Sequence, residues 1–251
     1  MNTQTQTSYF VSAFLSFLFI TWIFFRFKPD IKESITSADS TVYTNQNYQV
    51  TGLYYFILLI SQICVGFSVV TANGCDITQN NVIMTIAMYT LIPWVLIYGV
   101  LILIILINSN YKSAFSNVFG YMWVSASATE VLTKLFIPKV VTDQTGVNKT
   151  AENIQNTADA IFKICGNPFV LINEITPSNF IDYMDKLQPL FRPENVFKKD
   201  DFKGYKSGNV FYDLFEVVST RDSIGLFAWY IYTAILVISI ANYNIASIPC
   251  E

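Results

Sequence analysis

Four long blocks without a single Asp, Glu, Lys or Arg constrain this chain more than any other feature. They are Tyr9–Phe25, Leu53–Ala72, Val82–Ile107 and Ile224–Ile240, the last extending toward Ala246. A helix rises about 1.5 Å per residue, so about 18–20 apolar residues cross the roughly 30 Å of hydrocarbon in a bilayer. Blocks of this length are apolar all round rather than striped, so they suit a lipid solvent better than a half-exposed surface. Composition agrees: 53% of residues are hydrophobic and only 13% charged, too few charges to cover a soluble surface. The fold class read from the chain is mainly α. It is a polytopic membrane protein with about four transmembrane helices and a small, mostly helical soluble domain inserted before the last span.

The boundaries follow from the same blocks. Residues 1–138 form a membrane region with spans 9–25, 53–72 and 82–107, residues 139–222 the soluble domain, and 223–251 the final span and tail. The start, MNTQTQTS, has no basic side chain, and the first block ends at Arg26 and Lys28 without a small-residue cleavage site. That pattern is a retained anchor rather than a cleaved signal. Pro93 lies inside the third block, where it removes a backbone donor and predicts a kink. A kinked span either lines a pathway or is accommodated by a neighbouring helix. Residues 114–137 are ambiguous. Phe115, Val118, Phe119, Met122 and Trp123 form an apolar stripe at helical spacing, but Glu130 and Lys134 follow at once. The reading is an interfacial or packed helix, with a fifth span as the alternative.

Charge sets an expected orientation. Arg26, Lys28 and Lys32 lie between the first two spans, and the other basic residues all fall between Lys112 and Arg221. With four spans both basic segments share one face, the cytosol-like one by the positive-inside tendency, and both termini lie opposite. Cys75 and Cys250 then share the exterior or luminal face. They are a candidate disulfide, with two free thiols as the alternative. Cys64 is expected to pack inside span two, and Cys165 to stay reduced. The sequon Asn148-Lys149-Thr150 falls on the basic side, where no glycan is expected.

Within the soluble domain, Thr150–Cys165 reads as an amphipathic helix and Phe169–Ile175 as a short strand or extended piece. Thr176-Pro177 reads as a helix start leading into Phe180, Ile181, Met184 and Leu187. Asn209–Val218 reads as a further short helix, with Thr220 or Asp222 capping the last span. Lys198, Lys199, Lys203 and Lys206 cluster around Asp200 and Asp201 in a charged loop, either solvated or facing an acidic surface.

No histidine is present, which removes the commonest general base and metal ligand together. No phosphate-cradling glycine loop or CxxC pair occurs, and Asp182 with Asp185 reads as an exposed helix face. No catalytic residue, cofactor or metal is therefore expected, nor nucleic acid as a partner. The spans hold no ionisable group at depth, which disfavours pumps and proton-coupled transporters. A small passive channel or transporter, permitted by Pro93, Gly66 and Gly99, is the alternative to a structural role.

The strings NEITPSNF (Asn173–Phe180), LQPLF (Leu187–Phe191), RDSIGLFAWY and ANYNIASIPC resemble minor capsid or inner-membrane virion proteins of large icosahedral double-stranded DNA viruses of algae and amoebae. The likeness covers about residues 167–250, more weakly Asn73-Gly74-Cys75, and carries no catalytic signature. It implies a structural protein anchoring the capsid shell to an internal bilayer derived from host endoplasmic reticulum. Its implied partners are lipid and capsid or other minor capsid proteins, in a homo- or hetero-oligomer. Candidate protein contacts are Asn173, Glu174 and Asn179, which adjoin the resembling string, with Lys198, Lys199, Lys203 and Lys206. Local capping and turn hydrogen bonds are the competing role for the first three.

Overall fold

The computed structural model describes residues 3–29, 40–72, 74, 80–136 and 171–248. Among them the chain is mainly helical and forms no strand. The helices are α1 (Thr3–Phe27), α2 (Ser40–Ala72), α3 (Asn80–Pro93), α4 (Val100–Ile107), α5 (Ser113–Phe115), α6 (Tyr121–Leu135), α7 (Leu171–Glu174), α8 (Phe180–Leu187) and α9 (Val210–Ala246). A π-helical stretch, Trp94–Gly99, joins α3 to α4, and a second, Ser116–Gly120, joins α5 to α6. Two compact units result. One comprises residues 1–29, 41–111 and 227–251, the other residues 30–40 and 112–226.

The first unit is inside-out by the standards of a soluble protein. Thr21, Thr51, Gln62, Thr90 and Thr233 are buried, while Leu15, Phe19, Trp22, Leu53, Met84 and Leu96 are 60–66% exposed. This suits a lipid solvent, in which apolar side chains cost nothing outside and polar ones serve as contacts between helices. Among the described residues four helices are long and apolar enough to cross a membrane: Thr7–Phe27, Asn45–Ala72, Val82–Ile107 and Val210–Ala246. The chain is thus an integral membrane protein with four candidate spans.

Each span contributes to one aromatic junction. On α1 the positions Tyr9, Ala13, Phe17, Thr21 and Phe24 form a buried stripe at helical spacing. Phe24 lies 4.5 Å from the Tyr54 ring of α2, Tyr54 stacks on Tyr230 of α9 at 5.8 Å, and Tyr98 of the π-helical stretch lies 5.6 Å from Tyr230. Hydroxyls tie the same rings together, with Thr21 Oγ1 3.0 Å from Tyr54 Oη and Tyr54 Oη 2.7 Å from Tyr98 Oη. The Gln62 amide donates to the Ala13 carbonyl at 3.1 Å, giving a buried amide in α2 a partner on α1.

Pro93 is followed at once by the π-helical stretch, as expected where a proline disturbs the backbone ladder. The Tyr55 hydroxyl donates to the Trp94 carbonyl at 3.1 Å, so a neighbouring helix supports the irregular turn. Gly99 makes room for that contact, because a Cβ there would come within 2.6 Å of the Tyr55 hydroxyl oxygen.

Several expectations need correction. The helix carrying the second span begins at Ser40, well before Leu53, since the uncharged polar run between them contains no proline. Cys64 is on the exposed face of α2 rather than packed inside. Residues 171–174 form one helical turn, not a strand. The break expected near Thr220 and Asp222 does not occur, and α9 runs unbroken through both. Residues 112–136 group with the second unit rather than with the first three spans. Cys75, Cys165, Cys250, the sequon and the segment Thr150–Cys165 lie outside the described residues.

Substituting Tyr54→Phe removes the hydroxyl shared by Thr21 and Tyr98, and should lower stability by about 1 kcal/mol. Tyr54→Ala also empties the ring site and should cost about 3–5 kcal/mol. Thermal unfolding in detergent micelles, with the wild type alongside, measures both.

Candidate functional site

The second unit carries the residues singled out for protein contact, and its geometry starts from α9. Leu214, Val218, Arg221 and Gly225 follow one another at spacings of four, three and four, so they share one face, and all are buried. Three belong in an apolar stripe; Arg221, only 1% exposed, does not. Its guanidinium is accommodated because Nη1 donates to the Ile172 carbonyl and Nη2 to the Ile175 carbonyl, the latter at 2.8 Å. A planar fork with donors on both ends suits two carbonyls one turn apart. Arg221 thereby fastens the single turn α7 and the following Ile175 onto α9.

Close approach of α5–α6 to α9 relies on small residues. A Cβ on Gly120 would meet Arg221 Cγ at 2.8 Å, and one on Gly225 would meet the Ser116 backbone nitrogen at 2.6 Å. Ser116 and Gly120, one turn apart, therefore form the seam. Beside it Lys112 pairs with Asp222 at 2.8 Å, with side chains only 13% and 12% exposed. Asp222 is thus an ion-pair partner inside a helix rather than a cap.

The far end of α6 is closed by a second arginine. The last carbonyls of a helix lack intrahelical donors. Here Arg192 Nη2 donates to Thr133 O at 2.7 Å and Nε to Phe136 O at 3.0 Å, while the Asn195 amide reaches Lys134 O at 2.9 Å. The preceding LQPLF string supplies core: Leu187, Leu190 and Phe191 are 4–6% exposed, and Phe136 bridges antiparallel to Phe191.

The candidate contact residues have separate fates. Asn179 forms a local turn, its Oδ1 accepting from the Thr176 amide at 2.7 Å and its Nδ2 donating to Glu174 O at 3.1 Å. It also occupies the N-cap position of α8, so that helix starts three residues later than Thr176-Pro177 suggested. Phe180, Ile181, Met184 and Leu187 are buried, while Asp182 and Asp185 are exposed. Asn173 turns its Oδ1 into the unit, buried, and Glu174 is exposed. Lys198, Lys199, Lys203 and Lys206 are all exposed on turns flanking the buried Phe202, with Lys198 3.9 Å from Asp201. The structure thus presents the lysines and Glu174 outward and uses Asn179 internally.

An open groove of about 390 Å³ runs between α6 and α9, with Trp123, Glu130, Lys134, Asp213, Glu216 and Thr220 among its lining. Lys134 lies 2.6 Å from Glu130 and holds that carboxyl below its ordinary value, while Glu130 raises Lys134 in turn. Both side chains are exposed, so the pair adds little stability. The Asp213 carboxylate accepts from the Gly208 amide at 3.0 Å. Asn209 caps α9, its Oδ1 accepting from the amides of Phe211 and Tyr212.

Comparison with protein-family models, with curated proteins and with solved structures finds no match to this chain.

Arg221→Met leaves the two carbonyls without their donors and should destabilise the second unit by about 3 kcal/mol or more, since hydrogen bonds to charged donors contribute about 1.5–3 kcal/mol each. Hydrogen exchange should quicken across residues 171–187 while the span amides keep their protection. Replacing all four loop lysines by serine should change stability by less than about 0.5 kcal/mol, because exposed side chains away from the core contribute little. Thermal unfolding checks that result, and a larger loss would show that the lysines are structural.

Proposed function

We propose that this chain is a structural membrane protein that holds a protein-binding unit at a bilayer. By its sequence resemblance, the role is that of a minor capsid protein linking an icosahedral viral shell to the internal lipid membrane, itself derived from host endoplasmic reticulum. The carrying observation is that the second unit is fastened to α9, the helix that also supplies the fourth candidate span. Within that unit Arg221 holds the α7 turn to α9 through the Ile172 and Ile175 carbonyls. The exposed Lys198, Lys199, Lys203 and Lys206 suit an acidic protein face, and Glu174 adds a polar contact nearby in sequence. Capsid or other minor capsid proteins are the partners in this reading, and many copies per particle are implied.

A passive channel is the second reading. Its specific support is that Tyr9, Gln62 and Thr90 bury polar side-chain atoms among the spans. Polar atoms of that kind line water-filled paths in channels. Against it, Phe17, Trp94 and Tyr98 are fully buried and in mutual ring contact, which fills the interior.

The test is to strip lipid from purified virus particles with mild detergent and quantify this chain in the remaining shell by mass spectrometry. Retention at high copy number, with cross-links from the loop lysines to a capsid protein, is expected. Complete loss with the lipid overturns the linker role. Reproducible single-channel currents from purified protein in planar bilayers would favour the channel instead.

A further inference from the structure

The helical segment after the third span has two apolar faces, and among the described residues only one is covered. Ser116, Gly120, Val124 and Ala128 are buried against the second unit. Val118, Phe119, Met122 and Trp123 are 61%, 45%, 70% and 76% exposed. Four large apolar side chains side by side make a contiguous patch of the kind that marks a contact surface.

We propose that this patch is a lipid contact, lying in the boundary between headgroups and acyl chains of the bilayer that the spans cross. Three observations choose lipid over a protein partner. The first is tethering. The third candidate span ends at Ile107, and only Asn108 and the 3₁₀ turn Ser109–Lys112 precede α5. A residue in a 3₁₀ turn advances about 2 Å, so the chain cannot carry the patch far from the end of the span. The second is the gradient along the helix. Its exposed face is apolar through Trp123, then changes to Ser127, Glu130 and Lys134. On that face apolar residues thus lie toward the span and ionised ones away from it, Lys112 being turned inward onto Asp222. The third is the boundary residue itself. Trp123 lines the groove shared with Glu130 and Lys134, placing an amphipathic ring where apolar gives way to charge. Tryptophan is enriched at that level of a membrane for the same reason. The surface is therefore interfacial, as one face of a helix packed into a protein by its other face. The inference rests on the spans and this helix alone, and stands or falls separately from the capsid reading.

The test uses the wild-type full chain in phosphatidylcholine vesicles. One sample contains a phospholipid with a photoreactive diazirine near the top of its acyl chain. A parallel sample receives a water-soluble diazirine carboxylate. After irradiation, peptide mapping should show acyl-chain label on residues 118–123 at a yield comparable to that of Tyr9–Phe25. Label there should exceed that on residues 198–206 several-fold, and the aqueous reagent should show the reverse preference. Absence of lipid label at 118–123 overturns the proposal. Aqueous label in its place would mean that the patch faces water, and label from neither reagent would mean that protein covers it.

Discussion

The first unit depends on one constraint: a polar atom inside hydrocarbon has no water to turn to. Thr21, Tyr54 and Tyr98 meet it by bonding to one another across three helices, and the Tyr54, Tyr98 and Tyr230 rings meet there too. Without a hydrophobic drive between helices in lipid, such close polar and aromatic contacts set which faces meet. The Gln62 amide does the same where α1 and α2 touch. The irregular backbone at Pro93 and Trp94–Gly99 is tolerated because Tyr55 supplies a donor to the Trp94 carbonyl.

The same rule, applied to carbonyls, organises the second unit. Arg221 and Arg192 are not paired chiefly with carboxylates; they donate to backbone oxygens that short helices and helix ends leave open. A guanidinium serves here because it spans two acceptors with one rigid group. The small residues Ser116, Gly120 and Gly225 let α5–α6 and α9 approach closely beside these bonds. A unit built on thin helices and long loops becomes compact by this combination of staples and seam.

Function, in the reading advanced above, follows from how these parts divide the labour. The spans hold the chain in lipid, α9 continues from the stapled unit into the last of them, and the lysine turns remain free of the core. In the proposal made here the apolar patch on α5–α6 belongs to the same division, adding a lipid contact to the unit's chain connections with the spans.

The spans were legible in the sequence because a lipid solvent imposes one condition, length and apolarity, on every residue of a block. Val82–Ile107 matches its expected limits for that reason. The stripe Phe180, Ile181, Met184 and Leu187 was likewise legible, since it needs only a local period. What escaped was everything set by remote partners. Arg221 entered the sequence reading only as one of the basic residues that set orientation, although its spacing from Leu214 and Val218 marks a buried face. Asp222 read as a cap because its partner Lys112 lies 110 residues away. Asn179 had two readings, protein contact and local turn, and its bonds to Thr176 and Glu174 show the turn. The sequence by itself determined the solvent, four blocks long enough to span it and the apolar stripe after the third. Only tertiary structure decided which side of the helical segment 113–135 is buried, because both sides carry apolar residues there and the close approach of α9 depends on Ser116 and Gly120 meeting Gly225 and Arg221.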